Sequence, residues 1–110
     1  MSFEVIATDR FERNIRRFRK KYVSTDDDYE QLLNELESNP SSGEALGRDC
    51  FKVRMRIKSK NTGKSGGARV ITCVKIIGQK IYLLTIYDKS EQATITDKER
   101  DELLKENGLL

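Results

Sequence analysis

Lys52, Arg54, Arg56 and Lys58 alternate with Phe51, Val53, Met55 and Ile57, a period of two that lays four cations along one face of an extended strand. Successive cations on such a face stand about 6.7 Å apart, a spacing that suits the phosphates of a phosphodiester backbone. They belong to a longer stretch between Asp49 and Asp88 that holds nine basic side chains and no carboxylate, the others being Lys60, Lys64, Arg69, Lys75 and Lys80. That stretch carries +9, the remaining 12 basic and 18 acidic residues sum to −6, and the net charge of +3 conceals the division. A solvated sheet face ordinarily mixes both signs. An unmixed one points to a polyanion, with a nucleic-acid surface as the first reading and a plain solvated face as the second.

The residue types that are missing narrow the chemistry. The 110 residues include no histidine, which excludes a histidine-pair ribonuclease, a Ser-His-Asp hydrolase and a histidine metal site. The basic stretch has no carboxylates for a two-metal nuclease, and the flanking Asp49 and Asp88 read as structural or surface charges at strand ends. Cys50 and Cys73 are too few for a zinc site and read as buried free thiols, a disulfide being the minority reading. The run Gly63-Lys64-Ser65-Gly66-Gly67-Ala68-Arg69 lacks the order of a nucleotide-binding P-loop and precedes a strand rather than a helix. It reads as a hairpin connection from which Lys64 and Arg69 can approach a phosphate. If this surface cuts RNA, the remaining route is attack by the substrate's own 2′-hydroxyl, with Lys and Arg neutralising charge at phosphorus and neither metal nor cofactor required. A lysine crowded by cations has its pKa pushed down and becomes a plausible proton-transfer group. A pure binding surface has the same composition.

The elements that must position these groups follow from pattern. Residues 3–7 predict a short strand. Thr8-Asp9 then caps a helix to about Tyr22, with Phe11, Ile15, Phe18 and Tyr22 on one face and Arg10, Arg13, Arg16, Arg17, Arg19, Lys20 and Lys21 on the others. Ser24 and Thr25 with Asp26, Asp27 and Asp28 open a second helix, apolar at Tyr29, Leu32, Leu33 and Leu36 and stopped by Asn39-Pro40. The two form an antiparallel hairpin. Strands are expected over 51–58, 69–77 and 80–87, the last two joined at Gly78-Gln79 and apolar enough to lie in the centre of a sheet. Thr96 and Glu99 match a capping box for a short terminal helix with Leu103 and Leu104. The length fits one domain over residues 1–110. No apolar run approaches a membrane span and the N-terminus has no leader pattern, so a cytoplasmic protein without a membrane partner is expected.

Three segments in order, 50–56 (CFKVRMR), 63–71 (GKSGGARVI) and 81–91 (IYLLTIYDKSE), together with the helical hairpin ending at Asn39-Pro40, resemble the RelE/ParE superfamily of toxins from type II toxin–antitoxin modules, particularly its HigB-like branch. The resemblance covers almost the whole chain. It implies an α+β fold in which a short N-terminal strand and a helical hairpin pack on a small antiparallel sheet, followed by a short C-terminal helix. RelE-type members enter the ribosomal A site and cut mRNA without metal, whereas ParE-type members inhibit DNA gyrase, and fold alone does not choose between them.

Carried onto this sequence, the family's basic strand positions fall on Lys52 and Arg54, and its transition-state arginine falls on Arg69. Tyr87 and Lys89 stand where further catalytic basic or aromatic residues follow the last central strand. The resemblance thus implies Arg54 and Arg69 as phosphate and transition-state binders, Lys52 or Lys89 as proton-transfer groups, and Tyr87 as a base-stacking or orienting residue. Arg56, Lys58, Lys60 and Lys64 join as RNA-binding cations. The chain departs from the family in lacking the histidines of some HigB-like toxins, and RelE's late arginine and tyrosine find no match beyond Lys89, where Ser90 and Thr96 stand. The leading expectation is a ribosome-dependent mRNA endoribonuclease that inhibits translation. The alternatives are a non-enzymatic gyrase inhibitor and a non-catalytic RNA-binding module. Expected partners are a cognate antitoxin, the ribosome with its mRNA, and operator DNA only as the toxin–antitoxin complex.

Overall fold

A computed structural model of the protein describes residues 3–60 and 66–110. Strand β1 (Glu4–Ala7) leads into helix α1 (Asp9–Lys21), whose Thr8 cap accepts a hydrogen bond from the Phe11 amide and donates its own hydroxyl to Leu83 O at 2.7 Å. Its apolar stripe, Phe11, Ile15 and Phe18, is buried, as the helical spacing requires. Helix α2 (Thr25–Ser38) follows after a short turn and buries Leu32 and Leu36. Ser24 precedes it without a side-chain capping bond to the backbone. Its hydroxyl instead donates to Asp28.

The sheet has the order β1-β5-β4-β3-β2, with β2 at Glu44–Gly47, β3 at Cys50–Met55, β4 at Ala68–Lys75 and β5 at Lys80–Asp88. The two apolar strands β4 and β5 are interior, as their composition predicts. Two features correct the sequence reading. The sheet is mixed rather than antiparallel throughout, because β1 runs parallel to β5 from Glu4–Lys80 to Ala7–Leu83. Strand β2 is not among the strands that the pattern predicts; it is short, exposed at three of its four positions, and paired irregularly with β3 across Ala45 and Gly47.

The cationic strand also ends early. After Met55 the chain leaves the sheet, and Lys58–Lys60 forms a 3-10 turn whose first amide donates to the buried Asp28 carboxylate. Close approach to β4 accompanies that departure, since a Cβ at Gly67 would sit 2.4 Å from Met55 O.

The sheet separates two apolar layers. Phe11, Ile15, Phe18, Leu32 and Leu36 pack on Val53, Val70, Leu83 and Ile86. On the opposite face, Leu103 and Leu104 of helix α3 (Asp97–Glu106) pack on Cys50, Ile71, Cys73, Leu84 and Tyr87. The α3 start is the expected capping box, with Thr96 and Glu99 bonding reciprocally. The two thiols are free and buried. Among the described residues no helix is long and apolar enough to cross a membrane.

Candidate nucleic-acid interface

Strand register decides which cations meet. Cys50 lies opposite Cys73, and the Val74 amide donates to Asp49 O at 2.9 Å, which makes Cys50–Cys73 a non-hydrogen-bonded pair. The β3–β4 register then runs without interruption, so every second pair is of the same kind, including Lys52–Ile71 and Arg54–Arg69. In such pairs the Cα atoms stand only about 4.5 Å apart and the side chains are at their closest. Arg69 in turn lies opposite Tyr87 on β5. Arg54, Arg69 and Tyr87 therefore form one row across three strands.

The environments in the row differ. Arg54 is exposed. Arg69 is only 3% exposed and donates from Nη1 to Ala68 O at 3.1 Å. Burial first, and then the positive charge of Arg54, lower the Arg69 pKa, with Tyr87 opposing them. A guanidinium remains cationic under such pressure, so the pair keeps both charges. Burial raises the Tyr87 pKa, against the opposing influence of Arg69, so the phenol is a neutral donor at physiological pH. Its hydroxyl is buried with no hydrogen-bond partner among the described residues; nearby Thr94 biases its titration but stands outside bonding geometry.

Lys52 reaches the same area from the next position of β3 on that face. Its Nζ donates to Thr94 Oγ1 at 3.3 Å and lies 3.8 Å from Glu44 Oε1, with the side chain only 16% exposed. Lys89 follows β5, is exposed, and is positioned by its backbone amide, which donates a hydrogen bond to Gly67 O. A cleft of about 590 Å³ gathers Lys52, Arg54, Arg69 and Lys89, with Glu35 of α2 and Glu44 of β2 in its wall. The wall closes against β3 at Gly43, where φ is +100° and an added Cβ would lie 2.3 Å from Lys52 O. Only glycine fits there.

The structure thus brings together four of the five residues expected to act in catalysis, with Tyr87 beside Arg69 in the row. It treats the wider basic set differently. Arg56 and Lys58 are exposed and line an adjoining groove of about 560 Å³ beside α2, which shares Arg54 and Glu35 with the cleft but not Lys52, Arg69 or Lys89. Lys60 points elsewhere: its Nζ donates to Asp88 at 2.9 Å and lies 5.6 Å from the Tyr22 ring centroid. Lys64 lies outside the described residues. Tyr87 is packed beside Leu103 and Leu104 and is only 9% exposed, so little of its ring is open to a stacking base.

Asp88 is more than a strand-end charge. It is 5% exposed and accepts from Tyr22 at 2.6 Å, from Lys60, and from both the amide and hydroxyl of Ser90. Burial opposes its ionisation, yet these donors outweigh burial and hold the carboxyl far below the usual range. The network fixes the chain where β5 ends and Lys89 begins.

Glu35 and Glu44 were missed in the sequence. Glu35 accepts from the Ser42 hydroxyl, which ties α2 to the 40–43 loop. The only linear signal for Glu44 was its place opposite a cationic strand position, legible once β2 is known to pair Glu44 with Lys52.

Over residues 10–108 the sequence matches the family described as the RelE toxin of the RelE / RelB toxin-antitoxin system. Among solved structures, a mutant of the E. coli toxin RelE in the free state shares the fold at a TM-score of 0.62 and 17% identity, covering 96% of this chain and 98% of that one.

Proposed function

We propose that this chain, which belongs to the RelE toxin family of the RelE / RelB toxin-antitoxin system, cuts ribosome-bound mRNA through the row of Arg54, Arg69 and Tyr87 with Lys52 and Lys89 at its edge. Family membership implies a cognate antitoxin. The ribosome with its A-site mRNA is the proposed substrate complex, and operator DNA is a partner only of the toxin–antitoxin complex. Assignment to a HigB-like branch rests on the 50–56, 63–71 and 81–91 segments.

The observation that carries this reading is the direct opposition of Arg54 and Arg69. Like charges opposed in a non-hydrogen-bonded pair destabilise a sheet, by roughly 0.2–1 kcal/mol. An anion seated between them turns that repulsion into binding, most of all a phosphorus centre gaining negative charge.

In the proposed reaction the 2′-oxygen of one nucleotide forms a bond to the adjacent phosphorus while the bond to the 5′-oxygen breaks. The products are a 2′,3′-cyclic phosphate and a 5′-hydroxyl. Arg54 and Arg69 hold the non-bridging oxygens. Lys52 or Lys89 takes the proton from the 2′-hydroxyl and the other supplies one to the leaving oxygen. The Tyr87 hydroxyl, which has no hydrogen-bond partner among the described residues, donates a hydrogen bond that orients the phosphate beside Arg69. Replacing Lys52, Arg54, Arg69 and Lys89 together by Ala should abolish growth arrest and cleavage of ribosome-bound mRNA. Retention of both activities refutes the assignment.

A further inference from the structure

The outer surface of α1 carries charge that the cleft does not use. At about 100° per residue, Phe11, Ile15, Phe18 and Tyr22 cluster around one direction, and Arg13, Arg16, Arg17 and Lys20 fill an arc of about 100° centred directly opposite. The other cations of the helix flank this stripe and are engaged. Arg10 makes a two-point pair with Glu106, Arg19 pairs with Asp26 at 2.8 Å, and Lys21 lies 3.7 Å from Glu91. Arg13, Arg16 and Lys20 are exposed, and Arg17 is exposed at the rim of the groove toward α3. None of the four has an ion-pair partner among the described residues; Arg13 only biases the titration of Glu106.

Four unpaired cations at i, i+3, i+4 and i+7 weaken an isolated helix by mutual repulsion. They occupy a stripe about 10 Å long. Three are arginines, whose planar forks match phosphate oxygens. The stripe lies on the far side of the sheet from the cleft: α1 packs on the Val53, Val70 and Leu83 face, while Arg54, Arg69 and Tyr87 occupy the other. Even the smallest dimension of the Cα framework is 22 Å. An RNA strand threaded through the cleft therefore does not also cover α1.

We infer that Arg13, Arg16, Arg17 and Lys20 form a second docking surface, one that grips the phosphate backbone of a folded RNA helix while the cleft holds the strand to be cut. Duplex RNA suits it because such helices are recognised through shape and phosphates rather than base edges. The inference rests on the ribosomal reading only for the identity of that helix.

The test compares wild type with a variant in which all four residues become Gln, a good helix former at exposed positions, with circular dichroism confirming the fold. Binding is measured to mRNA-programmed ribosomes and to a labelled RNA duplex between 50 and 200 mM salt. Four phosphate contacts account for roughly a 100-fold weakening over that range, so wild type should lose affinity that much more steeply than the variant. Restoring positive charge as Arg13→Lys, Arg16→Lys and Arg17→Lys beside the native Lys20 should recover the salt dependence. Equal affinities and equal salt slopes for wild type and the Gln variant on both probes overturn the proposal, and so does loss of an acidic protein partner with RNA binding intact. If wild type grips the duplex through the stripe yet neither binds nor cuts on ribosomes, the docking surface stands and the cleavage reading fails.

Discussion

Substituting Arg54 by Gln should make the free protein more stable and less active at once. Arg54 faces Arg69 at the closest kind of cross-strand position, and its charge depresses the Arg69 pKa after burial. Like charges so placed cost about 0.2–1 kcal/mol, and because Arg54 is exposed to screening water the lower half of that range applies, about 0.5 kcal/mol. For a chain of 110 residues this raises Tm by about 2 °C at low salt. At 1 M salt, where the Debye length is about 3 Å, the difference should vanish. Losing one of two cations aimed at a developing phosphorane should lower the cleavage rate about 100-fold. Thermal melts at 20 mM and 1 M salt, paired with single-turnover cleavage on programmed ribosomes, provide the readouts. A lower Tm at low salt, or a difference that persists at 1 M salt, refutes the repulsion argument. Unchanged cleavage removes Arg54 from the site.

Tyr87→Phe removes a buried hydroxyl that has no hydrogen-bond partner among the described residues, so stability should hold within about 1 kcal/mol while kcat falls roughly 10-fold or more; a large loss of stability would show that the hydroxyl is satisfied internally. Asp88→Asn should destabilise by about 3 kcal/mol, because a buried anion with donors from Tyr22, Lys60 and Ser90 is replaced by an amide that cannot satisfy them all. The folded Asp88 pKa lies below its unfolded value of about 3.9, so its contribution is complete above that pH and is lost as pH falls through the folded pKa. Urea melts should therefore show wild type losing stability below about pH 4 more steeply than Asp88→Asn. Thr96→Ala should cost about 1 kcal/mol by opening the capping box, with hydrogen exchange accelerated first at the start of α3.

Local signals carried the helices and the central strands. Thr8, Thr96 and Glu99 are caps whose bonds close within three residues, and the alternation from Phe51 to Met55 needs only a pleat. Where the outcome depended on distant chain, the sequence was silent or misleading. Alternation continues through Lys58, but the strand ends at Met55 and Asp28 captures the Lys58 amide, so Arg56 and Lys58 line the groove beside α2 rather than the cleft of Lys52, Arg69 and Lys89. Lys60 has the same composition signal as Lys52, yet Asp88 and Tyr22, distant in sequence, claim it. Strand β2 has four residues and an irregular pairing, too little pattern to announce itself, and with it Glu44 went unnoticed. The parallel pairing of β1 with β5 joins segments about 76 residues apart and leaves no trace in either. The cations of the cleft were legible because a strand displays its side chains by parity, whereas its carboxylates come from a helix and an edge that only the folded chain brings near.

The most direct test of the central claim is the chemistry of the RNA ends left on ribosome-bound mRNA by the purified wild-type protein. Attack by the 2′-hydroxyl across the Arg54–Arg69 pair predicts a 2′,3′-cyclic phosphate on the upstream fragment and a 5′-hydroxyl on the downstream one. These ends should appear in mRNA on the ribosome and be lost with Arg69→Ala. Downstream fragments bearing a 5′-phosphate, or growth arrest by an active protein that leaves ribosomal mRNA intact, would contradict it.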